Sequence, residues 1–222
     1  MKNHIIIITI ICLFCAFCSC TYQPSEENSP PEETMKPKEK ILSIINGFDR
    51  NNDSTFDRVE EIVEIGEPAV PYLIELLYSN DTYHKWAALY ALSRIGHEVD
   101  RKKQEEIISH VKNLFDDKNP TIRQTAAGIA VGLGEKEGIP ILIEYLKSDD
   151  TRLLSKPRRS LSSYSISVLR YYTRQNFGYS IYVPMDEREE AIKKWENWWE
   201  KNKDSLVWDP NIWEYGGYVI KS

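Results

Sequence analysis

Oxygen-bearing side chains crowd one stretch of the chain. In Asp49-Arg50-Asn51-Asn52-Asp53-Ser54-Thr55-Phe56-Asp57-Arg58-Val59-Glu60, carboxylate or amide oxygens fall at positions one, three, five, nine and twelve. That is the spacing of a twelve-residue calcium loop, which surrounds a hard cation with oxygen ligands. Asp49, Asn51, Asp53, Asp57 and Glu60 are the ligands it would use. Position six, which needs glycine for the sharp turn, is Ser54. A simpler arrangement uses the same residues without a metal. Asp53 or Ser54 caps a helix whose apolar face is Phe56, Val59, Ile62 and Val63. The cap is the preferred reading, no metal or cofactor is expected, and calcium is the alternative.

Other candidates are sparser. His97-Glu98 is one histidine–glutamate pair, and the remaining histidines are His4, His84 and His110. A two-metal site needs more ligands than these, so the pair reads as a loop following Gly96. There is no Gly-x-Ser-x-Gly, no phosphate-binding glycine loop and no zinc-protease helix, and no catalytic residue is assigned. Lys156, Arg158 and Arg159 make a basic cluster that reads as a solvated turn. Trp195, Trp198 and Trp199 are spaced as a helix face and suit a core cap. Trp208 and Trp213 lie beyond that helix and are the candidate exposed aromatic patch, of a type that stacks on sugars.

The net charge of −6 over 222 residues argues against nucleic acid as a partner, because phosphate neutralisation needs a basic surface. All four cysteines, Cys12, Cys15, Cys18 and Cys20, sit in the first twenty residues. There Lys2 precedes the apolar run from Ile5 to Phe14, which is short for a membrane span and suits an export signal. Phe17-Cys18-Ser19-Cys20 resembles the end of a bacterial lipoprotein signal, in which a small residue precedes a cysteine that receives lipid. The match is at Ser19 and Cys20; Phe17 departs from the usual leucine. The resemblance implies lipidation at Cys20 and a signal over residues 1–19. Thr21, rather than aspartate, follows that cysteine, which by resemblance to Gram-negative sorting favours the outer over the inner membrane. Residues 20–38 are rich in Pro, Glu and Ser and read as a disordered tether. A thiol-free exported domain follows.

The elements that must position all of these side chains are helices. Pro71-Tyr72-Leu73-Ile74-Glu75-Leu76-Leu77 recurs as Pro140-Ile141-Leu142-Ile143-Glu144-Tyr145-Leu146, and Ala87-Ala88-Leu89-Tyr90-Ala91 as Ala126-Ala127-Gly128-Ile129-Ala130. Proline fits the first helical turn, and alanine lets neighbouring helices approach closely. Gly66, Gly96 and Gly134 are placed to end helices. Units of this kind must stack to bury their apolar faces. The run from Glu64 to Leu77, then Ala87 to Gly96, resembles the HEAT-like repeat first described in phycobilisome lyases. Arg123 matches the arginine that opens the second helix of that repeat, and Lys85 holds the place in the preceding unit. Some HEAT-like hydroxylases arrange several His-Glu pairs around two irons; this chain has one.

The expected architecture is an all-α, short HEAT-like α-solenoid. Repeats occupy residues 39–150. A degenerate repeat, an aromatic-rich capping helix and an aromatic tail occupy 151–222, with helices from Ser160 to Tyr172 and from Glu187 to Asn202. Most carriers of such repeats are scaffolds. The expected function is a non-catalytic, membrane-tethered monomer that binds another cell-envelope protein. The second helix of each unit lines the concave face, so Thr82, His84, Lys85, Arg123 and Gln124 are the expected contact residues. The alternatives are an enzyme or enzyme subunit with a ligand in the groove, and a carbohydrate-binding module using the C-terminal aromatics.

Overall fold

The structure is a computed structural model that describes residues 36–48, 55–148, 160–212 and 214–221. Cys20, Asp49, Asn51, Asp53, Trp213 and the cluster Lys156, Arg158 and Arg159 lie outside the described residues. Helices dominate: α1 (Pro37–Asn46), α2 (Thr55–Ile65), α3 (Val70–Leu77), α4 (Thr82–Ile95), α5 (Arg101–Lys112), α6 (Pro120–Gly132), α7 (Gly138–Tyr145), α8 (Leu161–Thr173) and α9 (Met185–Asn202). Two short strands, β1 (Leu206–Asp209) and β2 (Gly217–Ile220), follow.

Local chemistry starts the helices where the sequence suggests. The Asp81 carboxylate accepts from the backbone N–H groups of Tyr83 and His84, at 2.7 and 3.1 Å. Asn119 does the same for Thr121 and Ile122 at 2.9 and 3.3 Å, with Pro120 in the first turn. Ser160 Oγ accepts from Ser163 N–H at 3.0 Å. Such caps satisfy backbone donors that a helix leaves open, each contributing about 1 kcal/mol. Helix ends are less uniform. Gly66 and Gly134 have φ of 71° and 96°, as chain reversals require. Gly96 has φ of −59° and is not a left-handed stop. It is small for a packing reason: a Cβ there would lie 2.9 Å from the Leu133 methyls.

The helices pack as pairs in two rows. α2 touches α4, α4 touches α6 and α6 touches α8; in the other row α3 touches α5 and α7 touches α9. α3 pairs with α4, α5 with α6, and α7 with α8. α6 joins two apolar cores. Ile122, Ala126, Ile129, Ala130 and Leu133 face the core built by the earlier helices. Ala127 and Val131 face the core that α7, α8, α9 and the strands complete. A helix covered on both sides must be small-residued almost all round, which explains its Ala and Gly content. Trp195 is fully buried in the second core, and Trp198 and Trp199 pack against its edge.

The chain is mostly helical, with one addition at its end. The aromatic tail folds back as a two-stranded antiparallel ribbon, with Leu206 opposite Ile220 and Trp208 opposite Tyr218. Leu206 and Tyr218 are buried in the second core. The Tyr218 hydroxyl donates to the Val131 carbonyl at 3.3 Å. Lys136 Nζ donates to the Lys203 carbonyl at 2.6 Å and ties the α6–α7 turn to the base of the ribbon. The aromatic and β-branched residues here suit strands, but a two-stranded ribbon is marginal alone and is held by what it packs on.

Candidate functional site

A groove of about 530 Å³ opens over the C-terminal halves of α4 and α6 and along α8. Its floor is Gly128 and Gly132, one helical turn apart on α6. The glycines are required by their neighbours. A Cβ on Gly128 would stand 2.3 Å from the Tyr164 hydroxyl oxygen, and one on Gly132 would stand 2.8 Å from that of Tyr172. The two tyrosines are eight residues apart on α8 and so share a face. Burial pushes both phenols up, Tyr172 to about 12, so both stay neutral across the physiological range.

The walls come from α4 and from the loop between the strands. Arg94 lies on α4, His97 and Glu98 follow it, and Glu214 and Tyr215 approach from the ribbon. The His97 and Tyr215 rings stand 5.2 Å apart, and Tyr215 also meets Tyr171 at 6.4 Å. Burial lowers the His97 pKa, and Glu98 opposes that shift. Neutral imidazole is therefore its ordinary form here at neutral pH. The Tyr90 hydroxyl and then the Glu60 carboxylate hold Arg94 in its charged form. Arg94 Nη1 donates to both Glu60 oxygens, at 3.0 and 3.2 Å. Among the described residues, Glu98 and Glu214 form no ion pair. The hydrogen bond with Glu214 raises the Tyr215 phenol.

Beyond Arg94 the same helix carries a row of rings. Tyr83, Trp86 and Tyr90 stack at 5.8 and 5.9 Å, and Phe56 of α2 meets Trp86 edge-on at 5.5 Å. Phe56 is 54% exposed. α4 therefore presents aromatic surface that leads along its axis to the groove.

Most residues expected at the contact face hold the fold instead. Lys85 Nζ donates to Asp117 at 2.6 Å, joining the start of α4 to the α5–α6 turn. Arg123 donates to the Phe115 carbonyl at 2.8 Å and to Glu144 at 3.1 and 2.7 Å. Gln124 requires correction as a surface contact. It is 3% exposed, and its amide donates to the Ser165 hydroxyl at 2.6 Å and to the Leu161 carbonyl. A buried amide must be satisfied internally, and α8 supplies the acceptors. Thr82 opens α4, and His84 is half-buried beside the Phe48 ring. The groove lies instead toward the C-terminal ends of α4 and α6 and along α8.

Trp208 also needs correction as an open binding ring. It is half-buried, 5.1 Å from the Tyr218 ring and 6.0 Å from Tyr172. A Cβ on Gly134 would lie 2.8 Å from it, and one on Gly216 would lie 2.4 Å away. The ring is a wedge between two glycines of positive φ. Of the described calcium candidates, Asp57 is exposed and Glu60 is turned to Arg94. α2 already begins at Thr55, so Glu60 lies in its second turn. A calcium loop would postpone the exiting helix by several residues, and α2 is not postponed.

The groove residues Arg94, Gly128, Gly132, Tyr164 and Tyr172 are not singled out as site residues by the sequence. One signal was present: glycines four apart in a helix otherwise rich in alanine, which cost helix stability unless something approaches closely. No family model matches the chain, and comparisons with curated proteins and with solved structures likewise return no match.

Proposed function

We propose that this chain is a HEAT-like α-solenoid, tethered to the cell envelope by lipid on Cys20, that binds a segment of another envelope protein without catalysis. The observation that carries the reading is the groove over α4, α6 and α8, whose glycine floor and tyrosine walls form a concave surface of the kind stacked helix pairs use for binding. Tyrosine supplies large contact area at low conformational cost, which suits recognition of a partner. The protein acts as a monomer, with no nucleic acid and no cofactor. The carbohydrate reading has less support, because Trp208 is wedged between glycines rather than displayed.

The test is site-specific photocrosslinking in the full-length protein. A photoreactive amino acid at Tyr215 or Val168, on the groove walls, is expected to capture one discrete envelope protein. The same probe at Leu42, which is exposed on α1, is expected to capture none. An adduct pattern identical at all three positions overturns the groove as the binding surface.

A further inference from the structure

Resting on that groove reading, we infer that the bound segment is an extended, basic peptide whose Lys or Arg side chains sit between the tyrosines and the carboxylates of Glu98 and Glu214. Four observations point the same way. The groove is concave and lined on two walls by tyrosine, and the faces of such rings attract organic cations. Glu98 and Glu214 stand at the wall from different elements, and neither is in an ion pair among the described residues. The cation that also lines the groove, Arg94, is already engaged by both oxygens of Glu60 at 3.0 and 3.2 Å. Its charge is offset, and the two carboxylates are left without a cation, Glu214 accepting only from the Tyr215 hydroxyl. The chain as a whole carries −6, which favours approach of a cationic partner over an anionic one.

An extended occupant fits better than a helix. Tyr83, Trp86 and Tyr90 continue the groove as stacked rings along α4, so the contact surface is a long track with ridges. Seven residues of helix span about 10.5 Å, close to one turn of polyproline II, about 9 Å. A chain in that conformation puts residues i and i+3 on one side, so that they reach the outer two rings while its basic residues reach the carboxylates. Aromatic-lined tracks bind such peptides at low ordering cost.

The experiment pans a random twelve-residue phage-display library on the full-length protein at low ionic strength. Recovered peptides are measured against Ser93→Trp, which fills the groove, and against Glu98→Gln and Glu214→Gln, singly and together. All variants are first checked for unchanged thermal unfolding. Peptides enriched in Lys and Arg are expected. Each amide substitution is expected to weaken them about threefold and the pair about tenfold, with the loss screened away by salt. Groove-dependent peptides that are acidic or uncharged overturn the basic-segment inference and leave the groove reading intact. Peptides indifferent to Ser93→Trp, or no enrichment at all, overturn both.

Discussion

At the scale of single residues, the structure is held by contacts that bridge successive helices. The Arg123–Glu144 pair is the clearest. Hydrogen bonding from Arg123 holds the Glu144 carboxyl below its ordinary value, against a burial contribution in the other direction. A depressed acid contributes stability above its unfolded pKa of about 4.3 and loses it as pH falls through the lower folded value. Glu144 is 58% exposed, so solvent limits the pair to below about 1 kcal/mol. Glu144→Gln is expected to lower stability slightly at pH 7, with the difference closing as pH falls below the ordinary carboxylate range. A gap in urea-unfolding midpoint that persists in acid sinks this account. Gly128 makes a sharper test. Alanine there gains about 1 kcal/mol of helix propensity. Its Cβ must displace the Tyr164 ring, whose nearest atoms would be 2.3 to 2.9 Å away, and overpacking costs about 1–3 kcal/mol. Gly128→Ala is expected to lose about 1 kcal/mol net, seen as a Tm lower by roughly 2–4 °C. A stabilised variant would mean that Tyr164 does not occupy that seat.

The scale of elements separates what local chemistry writes into the chain from what it does not. Asp81, Asn119 and Ser160 cap helices through atoms two or three residues away, so local sequence carries those starts. The tail was not, because Leu206 and Tyr218 form strands only once they are buried against α6 and α8. Gln124 misled for a related reason. Position on a helix marks its face, but which face is covered depends on the next helix. The groove is only partly legible in sequence: helical periodicity places α4, α6 and α8, but its glycine floor depends on Tyr164 and Tyr172 and its ribbon wall on long-range packing. Trp208 is the test of how that wall stands. Its half-buried ring spans Gly134 and Gly216 and so supports the loop that carries Tyr215. Trp208→Ala removes that support and is expected to cost about 2–3 kcal/mol, below the range for a fully buried tryptophan. Limited proteolysis should then cut first between residues 206 and 221, before the helices unfold. Simultaneous loss of helix and ribbon would show instead that the two melt as one unit.

For the molecule as a whole, the proposed lipid has consequences that its helices do not share. No described helix is long and apolar enough to cross a membrane. The chain is acidic, so electrostatics would repel it from anionic headgroups rather than hold it there. The attachment proposed is the N-terminal lipid. One acyl chain gives only marginal, reversible binding, and firm anchoring takes two signals. The lipidation proposal therefore makes a graded prediction. Full-length protein grown with a clickable fatty acid is expected to take the label and to partition into the detergent phase. Cys20→Ser is expected to lose the label and to move to the aqueous phase with its unfolding transition unchanged. Cys18→Ser is the informative control, because Cys18 is the nearest competing acceptor. If that variant loses the label while Cys20→Ser keeps it, the anchor sits two residues earlier, and if neither loses it the anchor is not at this pair of cysteines. A tethered protein meets its partner at the membrane's own surface concentration, so modest affinity in the groove suffices. That is consistent with a site made of half-exposed tyrosines and two carboxylates rather than a deep, dry pocket.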